Sequence, residues 1–214
     1  MFHEESLWLE RVLEGLALAP GQLVLDVGSS DRHFRTVQQP YIDEHVDRPL
    51  RARGLRLLLA DAKPAEGVDL VLDLTARNAT TPAELERSVR VVICTNMLEH
   101  VVDREQVARR LVTFVAPDGT LIVTVPRRYP EHRDPIDTLY RPSPAEIETL
   151  FTQVEPRLRA VEKRVLTIRH PRHYTATTPL RRFLPWFRWQ LAAVVFRFVD
   201  TPPGAALSPA LGVG

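Results

Sequence analysis

The stretch Val91–Pro126, VVICTNMLEHVVDREQVARRLVTFVAPDGTLIVTVP, limits what this chain can fold into more than any other part of it. Val91-Val92-Ile93 is a β-branched run suited to a buried strand. Asn96, Glu99 and His100 then form a polar shoulder. Val107, Leu111 and Phe114 recur at helical spacing, Pro117-Asp118-Gly119 marks a turn, and Leu121-Ile122-Val123 opens a second apolar strand. A strand–helix–strand unit of this kind predicts a parallel sheet with right-handed crossovers. Ligands of such sheets bind beyond the carboxyl ends of the strands. Asn96, Glu99, His100 and the loop after Pro126 are therefore placed to touch one.

The same reading extends to both sides. Leu7, Leu9, Val12, Leu13 and Leu16 predict an amphipathic helix over residues 5–16, closed by Pro20-Gly21. Leu23–Leu25, Leu55–Ala60 and Asp69–Leu74 predict three more strands, with Asp26, Asp61 and Asp73 at or near their ends. All five strands are expected to be parallel and buried on both faces, because their apolar runs are continuous. Thr81-Pro82-Ala83-Glu84, Asp103–Gln106 and Ser143-Pro144-Ala145-Glu146 read as helix starts. Between Asp61 and Asp69 the chain is too short for a crossover helix, so either a bare loop joins those strands or one of them is outside the sheet.

Composition excludes several functions. A formal charge of +1 with mixed signs argues against a nucleic-acid binder, which needs a basic stripe. Cys94 is the single cysteine, so no disulfide framework or cysteine zinc site can form, and its place in a strand predicts inert packing. No second histidine–carboxylate cluster accompanies His132 and Asp134, so a metal is not expected. A Gly-x-Ser-x-Gly elbow is absent, and the loop after Leu25 lacks the later glycines of a nicotinamide site. Glu4 and Glu5 stand where a signal peptide needs basic residues, so a cytoplasmic protein is expected. Over residues 178–199, arginines alternate with Phe183, Trp186, Phe187 and Trp189 before the apolar run Leu191–Phe196. This predicts a basic-aromatic helix for either peripheral membrane contact or a homodimer interface, followed by a disordered tail.

With these residues in place, the chain from about Gln22 to Phe151 resembles the class I S-adenosylmethionine-dependent methyltransferases. Four segments carry the likeness: Leu25-Asp26-Val27-Gly28, Asn96–Val101, Pro117–Leu121, and Pro130–Pro135 with Tyr140–Ser143. The resemblance implies an α/β, Rossmann-like, doubly wound and mostly parallel seven-stranded-type sheet with flanking helices. On this reading a methyltransferase-like domain spans 1–175, and the basic-aromatic helix and tail read from the residues make up 176–214.

It also implies S-adenosyl-L-methionine as cofactor, held by Asp26, Gly28, Ser30, Arg32, Asp61, Asp73, Leu74, Asn96 and Met97. Asp61 would take the ribose hydroxyls and Asp73 the adenine amino group. Ser30 and Arg32 stand where the family has glycine, and Arg32 is expected either to pair with the methionine carboxylate or to plug the site. His100 and His132 are the candidate bases, and Arg133, Asp134, Asp137, Tyr140 and Arg141 the candidate substrate contacts on the loop after the fifth strand. O-methylation of a small molecule in a biosynthetic pathway is the expected activity. The alternative is a non-catalytic binding or partner protein on the same fold.

Overall fold

The computed structural model describes residues 1–77, 81–131, 136–169 and 188–199. Seven strands form one sheet in the order β3-β2-β1-β4-β5-β7-β6. They are β1 Leu23–Val27, β2 Arg56–Asp61, β3 Leu70–Val71, β4 Val89–Thr95, β5 Val115–Arg128, β6 Leu158–Thr167 and β7 Gln190–Phe198. β1 to β5 are mutually parallel, as the apolar runs predicted, and β7 runs antiparallel between β5 and β6.

The alternation of side chains along each central strand divides the core in two. Val92 and Cys94 of β4, Leu121 and Val123 of β5, and Val194 and Phe196 of β7 face one side. There they meet Val107, Leu111 and Phe114 of helix α3 (Arg104–Phe114) and Ile147 and Phe151 of α4 (Pro144–Val154). Val91, Ile93, Ile122, Ala193 and Val195 face the other side, against Trp8, Leu9 and Leu13 of α1 (His3–Glu14) and Val46 and Leu50 near α2 (Arg48–Ala52). Leu25, Ile93 and Val123 are fully buried, as expected of core positions. Cys94 is buried and unpaired, and burial pushes its thiol well above the usual range, which keeps it inert.

Helix ends follow the local chemistry. Asp103 accepts from the Gln106 amide at 3.0 Å, and Ser143 with Glu146 completes a capping box under Pro144. The third predicted start gives only a single 3-10 turn, Ala83–Leu85. Arg87 is tied to the Thr113 carbonyl and β4 begins at Val89, so no room is left for a helix.

Other expectations need correction. The crossover from β1 to β2, for which the sequence pattern named no helix, is wound as π turns at Phe34–Gln38 and Asp43–Asp47 before α2. A bare loop does join β2 to β3, but β3 has two residues and Val71 is exposed, so this end of the sheet is not buried on both faces. The turn at Pro117–Gly119 lies within β5, where pairing jumps from Val89↔Val115 to Val91↔Thr120.

The expected helix over 178–199 is, over Gln190–Phe198, a strand inside the sheet. Leu191–Phe196 are buried with neighbours on both edges and cannot form an outward membrane or dimer face. Residues 178–187 and the tail from 200 lie outside the described residues. Among the described residues no helix is long and apolar enough to cross a membrane.

Candidate functional site

The carboxyl ends of β1, β2, β3 and β4 converge on one rim of the sheet. β1 runs into Gly28, whose φ of +77° is one that side-chain-bearing residues rarely adopt. Met97 closes over it, with its Cγ and Sδ 3.5 and 3.6 Å from where a Cβ would stand. The Gly28 and Ser29 amides donate to the Ala60 carbonyl at 2.8 and 3.0 Å, and the Ser30 amide donates to Asp61 Oδ2 at 2.9 Å. The loop after β1 is thereby clamped to the end of β2. Ser30, at φ +61°, keeps the left-handed turn that glycine would provide more cheaply.

Asp61 is half-buried and also accepts from the Lys63 amide at 3.1 Å. The Leu72 amide donates to the Asp61 carbonyl at 2.8 Å, bringing Leu72-Asp73-Leu74 alongside. Asp73 is exposed, and hydrogen bonds from the Thr75 hydroxyl and amide hold its carboxyl below the usual range. Leu74 is buried.

Two predicted cofactor residues do something else. Asp26 is buried at the end of β1 and takes a 2.8 Å hydrogen bond from Arg35 Nη1, which also donates to the Ser29 carbonyl at 2.9 Å. The rest of the Arg35 guanidinium forks onto Asp47. Burial opposes the charge of both groups: it pushes the Asp26 carboxyl up, while for Arg35 the two aspartates outweigh it and raise its pKa further. Asp26 thus supports the loop from below. Arg32 turns outward, pairing with Glu66 at 3.1 Å while 65% exposed. Its replacement by glycine is expected to change S-adenosylhomocysteine affinity by less than about 0.5 kcal/mol, the usual scale for an exposed pair. A tenfold change in a calorimetric titration would contradict that placement.

Asn96 sits at the end of β4 with φ +50°, which asparagine tolerates better than most residues. Its Nδ2 donates to both Glu5 oxygens at 2.9 and 2.8 Å, and its buried Oδ1 has no partner among the described residues. Glu5 also accepts from the Phe2 amide and the Thr124 hydroxyl and is fully buried. Sequence reasoning missed it, although Glu5 precedes Leu9 and Leu13 at helical spacing on the stripe that α1 buries.

Glu99 is also buried, with Oε2 unpartnered among the described residues. Its carboxyl is raised to about 8, chiefly by desolvation and also by Glu5, against the opposing pull of its own backbone amide and of Arg141. His100 Nδ1 lies 2.7 Å from the Ile136 carbonyl oxygen, which assigns the proton to Nδ1 and leaves Nε2 as the acceptor, 3.8 Å from Glu99 Oε1.

The loop after β5 packs onto this corner. Thr138 donates through its amide and hydroxyl to the Glu99 carbonyl at 2.9 and 2.8 Å. Asp137 and Arg141 pair with each other, Arg141 also reaches the Tyr129 carbonyl, and the Arg104 guanidinium lies 4.2 Å over the Tyr140 ring. These three predicted substrate contacts therefore brace the loop. His132, Arg133 and Asp134 lie outside the described residues. Among the described residues no group of three or more His, Cys, Asp or Glu side chains is placed to hold a metal ion.

A family model described as a methyltransferase domain matches residues 2–178. The chain belongs to the class I S-adenosylmethionine-dependent methyltransferase family, and its cofactor is that of the family. Among curated proteins none matches. Solved structures share the fold at low identity. One is the 1,6-didemethyltoxoflavin-N1-methyltransferase of Burkholderia thailandensis, with 1,6-didemethyltoxoflavin and S-adenosylhomocysteine bound: TM-score 0.54 and 12% identity over 92% of this chain and 78% of that one. A Mesorhizobium loti S-adenosylmethionine-dependent methyltransferase gives 0.56 and 14% over 90% and 97%. The [4+2]-cyclase SpnF gives 0.58 and 13% over 89% and 80%.

The described residues suit the family cofactor on their own chemistry. The rim presents acceptors, the Asp61 and Asp73 carboxylates and the orphaned Asn96 Oδ1, beside a tight backbone turn at Gly28.

Proposed function

We propose that this methyltransferase acts on a small-molecule acceptor in a cytoplasmic biosynthetic pathway, with a hydroxyl oxygen as the atom methylated. The observation that carries the reading is the buried corner at the end of β4. There His100, with Nε2 as acceptor, stands beside Glu99, Asn96 and the loop that follows β5. S-adenosylmethionine supplies an activated methyl group, and its transfer needs alignment more than acid–base power. This chain's own residues supply the rest. Asp61 would accept from the ribose hydroxyls and Asp73 from the adenine amino group, while Gly28 and Met97 bound the methionine end. His100 Nε2 would take the acceptor's proton, and Glu99, whose carboxyl burial raises to about 8, would share or relay it. A small acceptor agrees with a net charge of +1 and with the small molecule bound to the Burkholderia structure.

The first test is calorimetric titration with S-adenosylhomocysteine. Wild-type protein is expected to bind, and Asp61→Ala to weaken binding by about 1.5–3 kcal/mol, the scale of hydrogen bonds to a charged group. Absence of binding at millimolar ligand would instead favour a non-catalytic protein on this fold. Methyl transfer to hydroxylic probes that His100→Ala leaves untouched would remove His100 from the role of base.

A further inference from the structure

Four consecutive backbone carbonyls in the loop after β3 are taken by two side chains of α3. Arg110 Nη1 donates to the Leu74 and Ala76 carbonyls at 2.6 Å each, and its Nη2 donates to the Arg77 carbonyl at 3.1 Å. Gln106, one turn earlier on the same face, donates through Nε2 to the Thr75 carbonyl at 3.4 Å. One planar guanidinium reaches the carbonyls of residues 74, 76 and 77, so this turn of the backbone is curled round a rigid fork. Both side chains are half-buried.

The buried side chains of Leu72 and Leu74 anchor the start of this loop, and beyond Leu74 little else fixes it. β3 supplies two residues of ladder, and Asp73 and Thr75 are exposed. Asp73 Oδ1 is bonded to the amide and hydroxyl of Thr75, at 2.8 and 2.6 Å. The direction of the Asp73 carboxylate is therefore set by Thr75, and Thr75 is set by the carbonyls on either side of it, which Arg110 holds. The guanidinium charge also favours the ionised form of Asp73.

We infer that Arg110, assisted by Gln106, is a positioning residue that makes the cofactor pocket select an amino-bearing purine. The inference rests on the proposed contact between Asp73 and the nucleobase. An ionised carboxylate only accepts hydrogen bonds, so when held in place it favours a ring carrying an exocyclic amine and disfavours the same ring carrying a carbonyl. Released from Arg110, residues 74–77 sample other conformations, Asp73 follows Thr75, and the choice between the two rings weakens. Lysine at 110 would keep the charge but reach fewer carbonyls, since it lacks the fork.

The test titrates wild type, Arg110→Lys, Arg110→Met and Gln106→Ala with S-adenosylhomocysteine and with S-inosylhomocysteine, which differ in that exocyclic group and in the proton that the neighbouring ring nitrogen carries in the inosyl compound. Melting temperatures are read alongside. Wild type is expected to prefer the adenosyl compound by about tenfold or more, on the scale of a hydrogen-bonding site facing the wrong partner. Arg110→Met is expected to lose most of that preference, Arg110→Lys to retain part of it, and Gln106→Ala to show a smaller loss. Should Arg110→Met fail to fold, the lysine and alanine variants carry the same comparison. A preference unchanged in the variants, or an equal weakening toward both compounds, overturns the inference while leaving the cofactor assignment intact. Failure of wild type to bind either compound overturns the cofactor reading itself, and the two failures are distinct.

Discussion

Replacing Arg35 by methionine is expected to destabilise the protein by about 3–5 kcal/mol, the cost of breaking a buried ion pair from one side. Asp26 and Asp47 are each almost wholly buried, and Arg35 is the cation that both of them face. Removing it leaves two carboxylates in a low dielectric with no positive charge between them. Part of the loss is recovered if they protonate, so the deficit against wild type should shrink as pH falls through the acidic range. Denaturant unfolding at pH 5 and pH 8 measures both effects. A loss below about 1 kcal/mol at pH 8 would mean that the cluster is far better solvated than its burial indicates. The same change should weaken S-adenosylhomocysteine binding, because Arg35 Nη1 also holds the Ser29 carbonyl beneath the Gly28–Ser30 turn. A buried guanidinium thus fixes a loop that holds one glycine, Gly28, between Val27 and Arg35.

Glu99→Gln should act in the opposite direction and depend on pH. The Glu99 carboxyl is raised from 4.5 to about 8, so between those values the folded state binds the proton more tightly than the unfolded chain. Stability attributable to this residue is therefore fully present below about pH 4.5, declines as pH rises, and reaches its lowest level above about pH 8. Glutamine is neutral throughout and carries no such penalty. The variant should match wild type in stability near pH 4.5 and exceed it above pH 8 by a few kcal/mol, since each tenfold change in proton affinity is worth about 1.4 kcal/mol. Glu5 on α1 and Arg141 on the loop before α4 face the same carboxyl, and they set how much of this appears. Unfolding curves taken at successive pH values between 4 and 9 check it. Parallel stability profiles for the two proteins would show that Glu99 ionises in the fold as readily as outside it. If Glu99 takes part in proton removal, glutamine should also lower methyl transfer, so stability and activity move in opposite senses.

These two residues also show where sequence reading stops. Arg35 falls in residues 32–52, whose π turns obey no 3.6-residue period, so the stretch gave no helical signal and no buried face to which an arginine could be assigned. Glu99 was visible as part of a polar shoulder, but the raised pKa of its carboxyl depends on its burial in the folded core and on Glu5 arriving from α1, 94 positions away in the chain.

What the sequence by itself determined is local. Continuous apolar runs specified five parallel strands. Ser143 and Asp103 specified two helix starts through bonds to amides three residues on. The spacing of strand ends placed Gly28, Asp61, Asp73 and Asn96 on one rim. Each of these depends on a period or contact that spans a few residues. Tertiary structure alone decided the partners. Leu191–Phe196 reads equally as a short helix or a strand, because a wholly apolar run carries no period. It became β7 because β5 and β6 offered two open edges to it. Arg110 reads as one more arginine on a helix until the loop after β3 folds back and turns its carbonyls toward it. Pairing between distant segments is selected by the whole core at once, and so the chemistry of this rim is fixed there rather than in any one stretch of the chain.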